Sequence, residues 1–132
     1  MKLSTKSRYG TRLLMELARH WNEGPLNISE ISKNQNISVK YLEQLIRPLK
    51  KAGFVKSVRG ARGGHFLVEK PEKIALGRIV RLLEDQTDLT ICIDQPETCT
   101  ISDECRVRLA WEAATKALYQ ELDNISIADL IE

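Results

Sequence analysis

The sequence predicts a mainly α-helical chain that carries one small β-hairpin. Three observations lead there. Apolar residues recur every three or four positions through most of the 132 residues; one short stretch folds back about a glycine-rich turn; and Lys and Arg crowd the first half while Asp and Glu crowd the second. The length matches one compact unit, and 42% hydrophobic residues can build a modest core but not two large ones. No internal repeat or low-complexity tract interrupts the pattern.

From Thr5 to Trp21, Tyr9, Leu13, Leu17 and Trp21 follow at four-residue steps with Leu14 and Ala18 beside them, which predicts an amphipathic helix stopped by Gly24 and Pro25. Asn27 before Ile28, with Glu30 three positions on, has the form of a capping box and opens a short helix to about Lys33. After a polar turn at Gln35 to Ile37, Ser38 caps a third helix running to about Ala52. Its buried stripe is Tyr41, Leu42, Leu45, Ile46 and Leu49; Pro48 removes a donor and predicts a kink, and Gly53 ends the helix. Phe54 to Val58 and His65 to Val68 read as two strands joined by Arg59-Gly60-Ala61-Arg62-Gly63-Gly64. A nucleotide phosphate loop would need a Lys-Ser or Lys-Thr pair and then a helix, and neither follows Gly64.

Two short helices about a tight turn, followed by a basic hairpin, make a winged helix-turn-helix with a small β-hairpin wing. Ile74, Ile79, Leu82 and Leu83 add a helix ending near Asp85, so residues 1–85 form the predicted DNA-binding unit. Residues 86–105 read as an irregular polar loop. Residues 106–132 supply a long helix, with Val107, Trp111, Ala114, Leu118 and Leu122 as a packing seam, and a tail from Ser126 that can add a last turn. The unit before it is too small to cover that seam, and helix-turn-helix proteins read paired half-sites, so the expectation is a homodimer with a C-terminal dimerisation helix.

Residues 1–70 hold 14 Lys and Arg against 5 Asp and Glu, and residues 71–132 hold 6 against 13, so the net +2 conceals a basic half and an acidic one. A basic half attracts a phosphate backbone through counterion release, although charge alone fits a solvated basic face equally well. Neither a secretory signal nor a run of about 18 apolar residues is present, so the expectation is a cytoplasmic protein with no membrane partner. No nucleophile with its base, phosphate loop or Cys-x-x-Cys pair suggests an enzyme.

Cys92, Cys99 and Cys105 lie within 14 residues, separated by six and then five residues. An odd number in a reducing compartment argues against a disulfide framework, and the spacing lacks the close pairs of a zinc ribbon. A metal centre and unligated redox-sensitive thiols both remain open on composition.

The start Met1-Lys2-Leu3-Ser4-Thr5-Lys6-Ser7-Arg8-Tyr9-Gly10, the stretch Ile37-Ser38-Val39-Lys40-Tyr41-Leu42-Glu43-Gln44-Leu45, the wing Val58 to Gly64 and the three-cysteine loop together resemble the IscR and NsrR type of bacterial winged-helix regulators, over nearly the whole chain. The resemblance implies a dimer that binds double-stranded operator DNA and an iron-sulfur cluster held by Cys92, Cys99 and Cys105, with [2Fe-2S] preferred and [4Fe-4S] possible. It also exposes a departure. Where the IscR type has a histidine three residues after the last cysteine, this chain has Arg108, and where the NsrR type draws a carboxylate from the partner's first helix, it has Arg8. The fourth ligand then falls to Asp94, Glu97, Asp103, Glu104, the second subunit or an exogenous group. The alternative is a cofactor-free regulator responding through its thiols or a protein partner.

With the third helix in a major groove, Ser38, Lys40, Tyr41, Glu43 and Gln44 face the bases. Gln44 suits adenine and Glu43 a cytosine amino group, while Lys40 and Arg47 suit phosphates. Glu43 also fits a plain solvated helix charge, and Tyr41 fits a core ring with its hydroxyl at a phosphate. Arg59, Gly60 and Arg62 place the wing at a minor groove, where narrow A·T stretches attract guanidinium groups.

Overall fold

The computed structural model describes residues 1–132 as six α-helices and one two-stranded antiparallel sheet. Helix α1 spans Thr5–Arg19, and the Ser4 side chain accepts from the Ser7 N–H at its start. It buries Leu13, Leu14, Leu17 and Ala18 and stops short of Trp21, because the chain turns through Asn22 and Gly24 with φ of 64° and 89°. Helix α2 (Ile28–Gln35) starts on Asn27, whose carbonyl side chain accepts from Ser29 at 2.8 Å. It ends on Asn36 in the left-handed region, a conformation asparagine tolerates well. Helix α3 (Val39–Lys51) starts on Ser38, which accepts from Tyr41 at 3.2 Å. It runs unbroken through Pro48, whose carbonyl still accepts from Ala52, so the proline forfeits a donor without ending the helix.

Strands β1 (Val55–Val58) and β2 (Gly64–Leu67) pair from Val55 opposite Leu67 to Val58 opposite Gly64. His65 also exchanges both backbone hydrogen bonds with Leu26, at 2.8 and 2.9 Å, which ties the hairpin to the segment entering α2. Gly64 is required there, since a Cβ would lie 2.3 Å from the Leu26 carbonyl oxygen.

Helix α4 (Leu76–Leu83) lays Ile79, Val80 and Leu83 inward and packs on α1. At its end Glu84 accepts from the Ser4 N–H, the Ser4 hydroxyl and the buried Ser7 hydroxyl at 2.8, 2.9 and 2.5 Å. The segment expected to be irregular contains a single turn of helix, α5 (Ile91–Asp94), and two 3-10 turns, Pro96–Thr98 and Ser102–Glu104. Helix α6 (Arg106–Asp123) follows.

Only four of the 27 buried residues lie beyond Leu83: Ser102, Thr115, Tyr119 and Ile127. Thr115 and Tyr119 belong to α6, which packs against α4, whereas Val107, Trp111 and Ala114 of the seam are exposed and Leu118 and Leu122 half-buried. Ile127 sits fully buried inside the main core. Its N–H bonds to Ile74, Leu76 bonds back to Ile125, and the tail then closes in a 3-10 turn, Ala128–Leu130. Burying one isoleucine this completely is worth about 1.5–3 kcal/mol.

Candidate nucleic-acid interface and cysteine loop

The two surfaces of interest inherit their positions from the packing below them. Leu42, Leu45, Ile46 and Leu49 anchor α3 in the core, which leaves Ser38, Lys40, Glu43, Gln44 and Arg47 exposed. Tyr41 divides between the two roles expected for it. It is half-buried, its ring meeting that of Tyr9 edge to face at 5.8 Å and 87°, while the Arg12 guanidinium lies 5.2 Å from the Tyr9 ring centre.

The turn between α2 and α3 is braced by polar contacts. Buried Glu16 on α1 accepts from Asn34 at 2.8 Å, Gln35 at 2.7 Å and Arg19 at 3.2 Å. Arg12 donates to the Gln35 side chain at 3.1 Å and also to its backbone carbonyl. Burial pushes the Glu16 carboxyl up, but its amide donors and Arg19 outweigh that and hold it below the ordinary glutamate range. Ser32 donates to the Ile37 carbonyl at 2.6 Å and closes the turn. Sequence reasoning passed over this network. The available signal was a charge three residues after Leu13 and one before Leu17, inside the apolar stripe.

The wing presents Arg59, Gly60 and Arg62 to solvent. Gly60 turns with φ 108° and accepts from Gly63 at 2.9 Å, and a Cβ on Gly63 would lie 2.1 Å from the Val58 carbonyl oxygen. His65, on the returning strand, bonds through Nδ1 to the Ser57 hydroxyl at 2.7 Å. Burial and the charge of Lys50 lower its pKa against the opposing pull of Glu43. Helix α3 packs against strand β1, so helix and hairpin lie side by side.

In the cysteine loop all three thiols are free; Cys92 and Cys105 are half-buried and Cys99 is exposed. The Cys92 sulfur lies 3.1 Å from the Thr90 hydroxyl. No three His, Cys, Asp or Glu side chains converge as a metal-ion site. Arg108 is engaged elsewhere, donating to the Cys92 carbonyl at 3.1 Å and pairing with Glu112 at 3.2 Å. The donor chemistry suits an iron-sulfur centre in its three soft sulfurs, and position 108 contributes no fourth ligand. Around the loop and α6, Ile91, Ile101, Val107, Leu109 and Trp111 are exposed, and Met1, Leu3, Leu89, Leu118 and Leu122 line an apolar cleft of about 290 Å³. No helix is long and apolar enough to cross a membrane.

Comparison with known proteins agrees with this geometry. The family model described as Rrf2, iron-dependent transcriptional regulator, matches residues 3–132. The protein rrf2 of Nitratidesulfovibrio vulgaris is 44% identical over 99% of this chain and 87% of its own length. The HTH-type transcriptional regulator IscR of Aliivibrio salmonicida is 38% identical over 99% of this chain and 77% of its own length. Among solved structures, CymR, the global cysteine regulator of Bacillus subtilis, superposes with a TM-score of 0.81 at 37% identity, covering 99% of this chain and 96% of that one. A family match of that extent, on a helix-turn-helix flanked by its wing, settles membership: the chain belongs to the Rrf2 family of transcriptional regulators.

Proposed function

We propose that this regulator acts as a homodimer, reads double-stranded operator DNA with α3 in the major groove and the wing in the minor groove, and has its DNA affinity set by an iron-sulfur cluster at Cys92, Cys99 and Cys105. The observation that carries the reading is the packing of α3 against the hairpin strand β1, with Lys40, Gln44 and Arg47 exposed on one and Arg59 and Arg62 on the other. The exposed seam of α6 supports the dimer, since Trp111 is 44% and Val107 54% exposed on a helix that buries only Thr115 and Tyr119 against its own chain. Bound in the loop, a cluster supplies a redox-responsive cross-link between thiolates. The chain's own residues connect that loop to the reading head: Leu89 donates to Thr115 of α6 at 3.2 Å, and Glu84 grips the start of α1. A cluster that favours one spacing of the two reading heads is linked to DNA by that preference alone.

Anaerobic purification is the test. The expected protein is coloured, carries iron and sulfide in equal amounts, with the count per chain distinguishing [2Fe-2S] from [4Fe-4S], and loses both in a Cys92→Ala variant. Equal affinity of loaded and iron-free protein for every selected DNA site would overturn cluster control.

A second reading rests on Cys99, whose thiol is exposed while no metal-ion ligands converge around it. In it, thiol modification or a protein partner governs DNA binding without a cofactor. Iron-free protein whose operator affinity changes on thiol alkylation, and not in a Cys99→Ser variant, identifies this case.

A further inference from the structure

Beside the cysteine loop, a cleft of about 410 Å³ opens between α4, α6 and the residues leading into α5. That size lies in the range of about 300–1,000 Å³ typical of small-molecule sites. Its charged walls are mostly occupied. Arg81 forms a two-point pair with Asp123 at 2.7 and 2.8 Å and lies 4.4 Å over the Tyr119 ring, and Glu112 is held by Arg108.

Three groups are left over. Asp88 and Lys116 enter no ion pair, with each other or with any other residue. Tyr119, only 7% exposed, carries a buried hydroxyl with no hydrogen-bond partner. A buried donor without an acceptor is unfavourable, so an acceptor is missing. Burial and the neighbouring carboxylates of Asp94 and Glu112 hold the Asp88 carboxyl above its ordinary range, with no cation or donor to counter them. Asp88 is fixed in place by its neighbour, since the Leu89 N–H donates to Thr115 on α6.

One unpaired carboxylate, one unpaired ammonium and one donor without an acceptor around a single cleft are complementary to a molecule carrying both signs of charge. We infer that the cleft binds a small zwitterion, an α-amino acid, with its ammonium at Asp88 and its carboxylate at Lys116 and the Tyr119 hydroxyl. Arg81, itself paired with Asp123, lies over the Tyr119 ring, and Ile93 offers an apolar wall to the side chain. Because the walls come from α4, α6 and the entry to the cysteine loop, occupancy fixes the relation of those three elements.

The test is isothermal titration of the full-length protein, iron-free and without DNA, with a panel of α-amino acids and with two truncated probes, ethylamine and propionate. The absence of iron and DNA keeps the result separate from the proposed function. At least one α-amino acid is expected to bind, with both truncated probes about tenfold weaker or worse. Asp88→Asn and Tyr119→Phe, which remove a charge and a hydroxyl without changing shape, are each expected to weaken binding about fivefold or more. Unliganded melting temperatures of both variants confirm that the fold is kept. Absence of binding at about 10 mM ligand, equal binding of ethylamine alone, or undiminished affinity in either variant overturns the inference.

Discussion

The side-chain amide of Gln35, in the last turn of α2, donates to the buried carboxylate of Glu16 on α1 across 2.7 Å. Asn34 and Arg19 complete the set, so one carboxylate holds the end of α2 where α3 must begin. Glu16→Ala strands two amides, and an urea titration is expected to show a loss of about 2–3 kcal/mol. The pH dependence has a defined sign. Because the folded-state pKa of Glu16 is depressed, its contribution is full above the unfolded value of about 4.3 and fades as pH falls through the folded value. The gap between wild type and Glu16→Ala should therefore narrow on acidification below about pH 4.

Gly64→Ala drives a methyl into the Leu26 carbonyl and parts the wing from the entry to α2. The variant is expected to stay folded and to lose operator affinity about tenfold or more in a gel-shift assay, because the minor-groove contacts proposed for Arg59 and Arg62 would depend on the hairpin's pose. Retained affinity would remove the wing from the interface.

The exposed residues of α3 divide by chemistry. Lys40→Ala should weaken binding to all sequences alike and reduce the salt slope by about one, and Arg62→Ala in the wing should weaken binding and reduce the slope as well. Glu43→Ala should leave that slope and relax the choice at one base position in a randomised-site selection. A carboxylate facing a polyanion discriminates against sites that offer it no donor.

Trp111→Asp puts a charge on the exposed seam of α6 without replacing Tyr119, stacked under Arg81 of α4, or Thr115, bonded to Leu89. Sedimentation is expected to show a monomer with unchanged circular dichroism. An unaltered dimer would move the interface elsewhere.

Glu84→Ala removes the acceptor shared by Ser4 and Ser7. Because Glu84 is half-buried and partly screened, the expected loss is about 1–2 kcal/mol, read as a melting temperature lower by a few degrees.

Local signals made the reading head legible in the sequence. Asn27 and Ser38 cap α2 and α3 as their residue types predict, and the hairpin turns where Gly60, Gly63 and Gly64 lie. These features depend on neighbours a few residues away. Glu16 with Gln35, and Glu84 with Ser7, pair residues 19 and 77 positions apart, and no periodicity links them. The α6 seam was visible as a pattern, but the same helix carries Tyr119 and Thr115 inward at an equally helical spacing, and only packing separates the two faces. Cys92, Cys99 and Cys105 were conspicuous by type. Arg108 fastened to the Cys92 carbonyl was not, because it bonds to backbone that carries no sequence signature.

Ile127, buried at the heart of the N-terminal unit, gives α6 a mechanical character. A rod pinned beyond its far end pivots but does not slide. A rotation about that anchor would displace the cysteine end at Arg106 most and the Asp123 end least, so the loop occupies the long arm of a lever whose fulcrum is part of the core beneath the proposed DNA-reading surface. Cutting the chain ahead of Ser126 would remove that anchor and leave α6 held by Tyr119 and Asp123 at Arg81 and by Thr115 at Leu89.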